Sequence, residues 1–265
     1  MKRYLNIFLL EFQVAFAIKS LSLVWFLTAL VGPLLMLIFW GNATSSQGGS
    51  ISGWNFSDFA TYYLLIVLGG SLFLAHIESG LARDINRGDI TLYLLKPRPF
   101  YMFMLLHETP WRIIQGIFTI VTIFGIALFT TNTVHITNSP SHFSYAIIMM
   151  FLAYIMSFTF KMCVGLLGLW FTEVSGIIQL DDMAVTVCGG IIAPLIFMPT
   201  QFRVFLDFLP FVYVLYYPIM TLLGKLNEST EIKIIGIQLL WLFIFSVIYK
   251  FLWFEGRKKF TAFGR

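Results

Sequence analysis

The feature that most constrains this chain is the run Leu21–Trp40, twenty residues without one charged side chain. A helix rises 1.5 Å per residue, so such a run reaches about 30 Å, the thickness of a bilayer's hydrocarbon core. The pattern recurs at Phe59–Ile77, Ile113–Phe129, Tyr145–Phe171, residues 176–198 and Ile234–Phe254, interrupted only by Lys161, Asp181, Asp182 and Lys250. Charged residues make up 11% of the chain, against about 25% in an ordinary soluble domain. With 58% of its residues hydrophobic, a soluble domain of 265 residues would lack the polar surface to cover itself, so lipid is part of its solvent. The same composition excludes a disordered chain, a collagen, a coiled coil or a secreted disulfide scaffold. Cys163 and Cys188 sit in apolar stretches without ligand-like neighbours and read as small hydrophobes. A net charge of +4 does not call for nucleic acid, because basic cytoplasmic loops alone produce it. The expected fold class is an all-α polytopic membrane protein with six transmembrane helices.

Residues 1–20 carry Glu11, Gln13 and Lys19 and lack a small-x-small cleavage pattern, which argues against a signal peptide. Lys2, Asn6, Gln13 and Ser20 fall on one side at the helical period, with Leu5, Phe8, Leu9, Phe12 and Phe16 away from them. That suits an amphipathic helix lying in the membrane interface, with a cytoplasmic extension of the first span as the alternative. Residues 79–110 hold Arg83, Arg87, Lys96 and Arg98 and read as a cytoplasmic loop, whereas Gly41–Ser57 and Thr130–His142 contain no Lys or Arg. Phe208–Leu223 is uncharged for 16 residues but contains Pro210 and Pro218. With six spans, 13 Lys and Arg fall inside and 3 outside; a seventh span there worsens the division to 10 and 6. Residues 199–224 are therefore expected to be a proline-broken pair of short helices that enters the outer leaflet and returns. Such backbone is tolerated at membrane depth only inside protein or beside water. Both termini are then cytoplasmic.

No G-x-x-x-x-G-K-[ST] run occurs, since Gly224-Lys225 lacks both the upstream Gly and the following Ser or Thr, so no nucleotide phosphate is held by that route. His76, His107, His135 and His142 are scattered and no H-E-x-x-H or C-x-x-C occurs, which argues against a metal site. No catalytic constellation is evident, and no internal repeat supports a carrier built of inverted halves. Charges inside the membrane are functional candidates by default. Lys161 is the sharpest, and two readings stay open. In one it snorkels from the cytoplasmic end of its span to the headgroups. In the other it pairs with Asp181, Asp182 or Glu173, fixing two helices or lining a cavity. With so few intramembrane charges, an ion-driven mechanism has little to work with, and a mostly apolar, aromatic path suits an amphipathic or lipid-like cargo.

One loop is more specific. Arg83-Asp84-Ile85-Asn86-Arg87-Gly88-Asp89-Ile90, followed by Leu92-Tyr93-Leu94-Leu95-Lys96-Pro97-Arg98-Pro99, resembles the cytoplasmic loop of ABC-2-type exporter permeases of the daunorubicin- and viologen-exporter-like subgroup. Gly88 is expected to end one short helix and Asp89 to cap the next, with Ile90, Tyr93 and Leu94 turned to a partner. Gly189-Gly190 with Ile192, Pro194, Leu195, Phe197 and Pro199, then Leu209-Pro210-Phe211, Tyr213, Tyr216, Pro218 and Gly224, is similar to that subgroup's passage from fifth span into re-entrant helices. Thr186-Val187-Cys188-Gly189-Gly190 departs from it, standing where a Ser-Gly pair is expected.

The resemblance implies a permease subunit without an ATPase site or cofactor of its own. Two such subunits, identical or paired with a six-span paralogue, would dock two copies of an ABC ATPase that carries ATP and Mg. A cytoplasmic coupling helix between spans 2 and 3 would transmit the ATPase movement, in a bacterial cell membrane. Arg83, Asp84, Arg87, Asp89, Leu92 and Lys96 are then candidates for ATPase docking. Pro210, Phe211, Tyr213 and Tyr216 are candidates for an outer gate, or for simple packing of broken helices. Lys161 and Asp181 are the intramembrane charges. A stand-alone channel or secondary transporter, and a lipid-modifying enzyme using Glu173, Asp181 and Asp182, are the alternatives.

Overall fold

A computed structural model of the chain describes residues 2–95, 99–129 and 134–259. The chain begins with α1 (Lys2–Ala17), which breaks at Ile18 before α2 (Lys19–Ser46). It is thus a separate helix, and it packs chiefly along α6 (Phe100–Phe129). Beyond α2 a small antiparallel hairpin forms, β1 (Ser50–Ile51) paired with β2 (Trp54–Asn55). Ser52 and Gly53 both take positive φ (49° and 79°), the combination that turns a two-residue hairpin loop with the strands' own twist. Asn55 then starts α3 (Phe56–Leu72) through a reciprocal capping box. Its side chain accepts from Asp58 N–H, and the Asp58 carboxylate accepts from Asn55 N–H.

Next come α4 (Glu78–Arg87), α5 (Ile90–Leu94), α6, α7 (Pro140–Leu166) with a 3₁₀ turn at Leu167–Leu169, and α8 (Ser175–Cys188). Short helices α9 (Thr200–Leu206) and α10 (Tyr216–Leu222) precede α11 (Glu228–Lys259). Among the described residues four helices, α2, α6, α7 and α11, are long and apolar enough to cross a membrane. Thr200–Leu206 and Phe211–Leu222 form a pair bent by 83°, a fifth crossing if the pair counts as one broken span. The protein is an all-α polytopic membrane protein apart from its hairpin.

Two expected spans come out shorter than the sequence suggests. Helix α3 stops at Leu72, about 26 Å long at 17 residues, although the apolar run continues to Ile77. The freed backbone groups find side chains instead: Ala75 N–H donates to Ser157 Oγ (3.1 Å), His76 N–H to Glu108 Oε1 (3.0 Å), and Leu74 C=O accepts from Arg112 (3.2 Å). Supplied with partners, the backbone has no need to remain helical there. Helix α8 ends at Cys188 after 14 residues. Gly190 takes φ 85° and lies under Tyr62, where an added Cβ would stand 2.6 Å from the Tyr62 hydroxyl, which itself donates to Gly190 C=O (2.7 Å). Helix α6 starts at Phe100, inside the stretch 79–110 expected as loop, and Arg112, just before the expected span Ile113–Phe129, is a buried residue within it.

Side chains gather into two cores strung along α7. Its first half, Ala146 to Met156, joins a core built on Phe59, Tyr62, Tyr63 and the segment Val212–Tyr216. Its second half, Phe158 to Leu166, joins a core containing Ile77, Leu81, Ile85, Ile90, Phe100 and Tyr249. The first core ties the hairpin to the residues flanking the bent pair, since Trp54 meets Phe197 and Lys225 lies over the Trp54 ring. The second holds α4.

Candidate functional site

The irregular residues after α3 deliver Glu78 into the interior as the first residue of α4. Lys161, on the last turns of α7, is only 2% exposed and reaches Glu78 Oε1 at 3.0 Å. The same ammonium meets Asp181 Oδ2 at 2.6 Å and Asp182 Oδ1 at 3.0 Å, both from α8. Lys161 therefore does not reach outward toward headgroups. It pairs with Asp181 and Asp182, as one of the two readings expects, and with Glu78, which neither includes. Glu173 takes no part: its Oε1 is exposed and accepts from Ser175 N–H (2.9 Å). Glu78, Asp181 and Asp182 present carboxylate oxygens close enough together to hold a metal, but the lysine ammonium fills the cation position among them. One cation faces three carboxylates, and Glu78 Oε2 and Asp181 Oδ1 have no hydrogen-bond partner. Burial makes such a cluster costly unless every ion is matched, so its geometry is tightly constrained.

A second ion pair braces the same region. Arg112 Nε lies 2.9 Å from Glu108 Oε1 one helical turn away, and its guanidinium also contacts His76 Nδ1 at 3.0 Å. Further out, His107 Nδ1 bonds Glu11 Oε2 at 2.8 Å and fastens α1 to α6.

Helix α4 has two faces. Glu78, Leu81, Ala82 and Ile85 repeat at helical spacing and are buried. They lie against Gly165 of α7 and Gly168 of the 3₁₀ turn that follows it. A Cβ on Gly165 would meet Leu81 at 2.9 Å and the Glu78 carbonyl at 3.0 Å, and one on Gly168 would meet the Ala82 backbone at 3.3 Å. The two glycines let the helices touch at backbone distance. On the opposite face Arg83 and Arg87, one turn apart, are exposed. Gly88, at φ 82°, ends the helix as expected for a left-handed cap.

Asp89 is exposed and precedes α5, but its side chain makes no capping bond. Ile90 is buried in the second core, and Tyr93 packs on Phe100 and Phe103, so neither is turned outward as expected. Leu92 is, at 61% exposure. Asp84 is half-buried and shares a hydrogen bond with Tyr93; burial pushes its carboxyl above the ordinary range, against the pull of Arg83 and His107. Lys96, and with it Pro97 and Arg98, lies outside the described residues, as does the side chain of Leu94. The structure thus brings Arg83, Arg87, Asp89 and Leu92 to one exposed region and folds Asp84 back toward α5.

The residues expected at an outer gate are packed rather than open. Pro210, Tyr213 and Tyr216 are buried, and Phe211 is half-buried with its ring against Phe160 of α7. Gln238 of α11, fully buried, donates to Tyr213 C=O (2.8 Å) and to Met149 C=O (3.0 Å). Tyr213 Oη in turn donates to Asp207 C=O at 2.7 Å.

Sequence reasoning missed Glu78, Glu108 and Arg112 as members of a buried network. The available signal was the excess of charge where the apolar run ending at Ile77 meets the next span. Loop composition explains that excess equally well, so it did not single them out.

A family model described as ABC-2 family transporter protein matches residues 30–264, most of the chain. No curated protein matches it.

Proposed function

The chain belongs to the ABC-2 family of transporter proteins, and from that membership we propose that it is the membrane-spanning permease subunit of an exporter driven by a separate ATPase chain. ATP and Mg reside on that partner, two copies of which dock on the cytoplasmic face. The transport path is completed by a second permease, identical or a six-span paralogue, in a bacterial cell membrane with both termini cytoplasmic. The likeness of the loop to the daunorubicin- and viologen-exporter-like subgroup supports outward movement of an amphipathic, drug-like or lipid-like cargo. The interior agrees with such a cargo, since its buried Lys161 and Arg112 are held in ion pairs with Glu78, Asp181 and Glu108 and the cores around them are apolar and aromatic.

The observation that carries the reading is the division of α4. Its apolar face is seated on Gly165 and Gly168, and its opposite face presents Arg83 and Arg87, both exposed among the described residues. A helix fastened on one side and cationic on the other suits a lever held by the bundle and gripped by an acidic groove. The test is copurification with the ATPase. The unsubstituted chain is expected to bring the ATPase with it, and Arg83→Glu with Arg87→Glu to lower the recovered ATPase at least tenfold, with the permease still extracted at normal yield. ATPase recovered at the full level with the double variant contradicts the docking surface. No ATPase with the unsubstituted chain contradicts the permease reading.

A further inference from the structure

Lys161 touches α4 and α8 at once, through Glu78 on one side and Asp181 and Asp182 on the other. These two helices have different onward connections. Helix α4 carries the exposed Arg83 and Arg87. Helix α8 packs on the 3₁₀ turn Phe211–Tyr213, the elbow of the re-entrant pair. Beside Lys161, under that elbow, lies a cavity of about 10 Å³, bounded by Ser157, Val185, Pro210 and Phe211 among others. That is room for about one water. The ion cluster, with the Asp182 side chain open to solvent, thus borders a small void. Such a cluster holds two elements in fixed register, yet leaves the elbow a place to shift.

We propose that Lys161 is a positioning residue that transmits displacement of α4 to α8 and so to the re-entrant segment. It touches neither nucleotide nor cargo. A load on Arg83 and Arg87 moves Glu78 with its helix. Because Glu78 and Asp181 share one ammonium, α8 follows, rather than α4 sliding past it. The Lys161–Glu78 pair is the link that distinguishes this role from ordinary helix packing, in which Leu81 and Ala82 seat α4 against Gly165 and Gly168. The inference rests on the permease reading and adds to it a route from the docking helix to the outer segment.

The experiment uses the permease–ATPase complex in liposomes, with Cys163 and Cys188 replaced by alanine and one reporter, Gln201→Cys, on exposed α9. The readout is the labelling rate of that cysteine by a membrane-impermeant maleimide without nucleotide and with ATP plus vanadate. The two rates are expected to differ severalfold in the otherwise unsubstituted complex. Their ratio is expected to fall to about one in Lys161→Met, while ATP is still hydrolysed by the partner chain, and to recover in Lys161→Arg. Should Lys161→Met not assemble, Glu78→Gln, which leaves the α8 pairs in place, is expected to reduce the ratio likewise. A full nucleotide response in Lys161→Met, or in Glu78→Gln, overturns the transmission role. A reporter that does not respond even with Lys161 intact sinks the permease reading itself.

Discussion

At the scale of single residues, the buried polar groups decide what holds the bundle together. Gln238 is 0% exposed and joins α11 to α7 and to the re-entrant segment through two carbonyls. Gln238→Leu deletes both bonds and strands the Tyr213 carbonyl in an apolar site. The expected loss is about 1–3 kcal/mol, read as a lower thermal midpoint of the purified protein, although removing the amide's own unpartnered oxygen offsets part of it. An unchanged midpoint would mean that this bridge is not part of what keeps the elbow seated. Lys161 shows how far single residues are legible. Its strangeness in an apolar run is visible from sequence, and Asp181 and Asp182 lie near enough along the chain to be suspected. Glu78 lies 83 residues away, and nothing in the spacing links it to Lys161. Only the break after α3, which turns Glu78 inward, brings the two together.

At the scale of elements, α4 is the helix whose seating matters most. Gly165→Val places new atoms where Leu81 and the Glu78 carbonyl already stand, an overpacking worth about 1–3 kcal/mol. Trypsin cleavage after Arg83 or Arg87 is expected to accelerate severalfold, while Gly176→Ala, with nothing within 4 Å, leaves the rate unchanged. Equal rates for both variants would show that α4 is not held by those glycines. The helix end at Gly88 was legible because a left-handed cap has a local chemical signature. The end of α3 at Leu72 was not, because hydropathy records whether a segment resides in apolar surroundings and not whether its backbone is helical. The partners that permit the break, Glu108, Arg112 and Ser157, come from two other helices. The same limit applies to α8, whose early end depends on how closely Tyr62 approaches Gly190.

At the scale of the whole molecule, membrane residence and helical class follow from long uncharged runs. The number of full crossings does not, since two of the six runs are only partly helical. The contacts of Trp54 with Phe197 and Lys225 put the hairpin at the same end as the residues flanking the bent pair, while α3 leads away from them toward α4. In intact cells a membrane-impermeant maleimide is therefore expected to label Ser50→Cys and Gln201→Cys but to reach Arg87→Cys only after lysis. Labelling of Ser50→Cys and Arg87→Cys from the same side would overturn the arrangement of spans. That the outward face of α4 is gripped by an ATPase is tested most directly by a photo-crosslinking scan along α4 and into α5. With a photoreactive amino acid placed singly at positions 81, 83, 85, 87 and 92 in cells, crosslinks to the ATPase are expected from 83, 87 and 92 and not from the buried 81 and 85. Crosslinks without that periodicity, or none from 83 and 87, would contradict it.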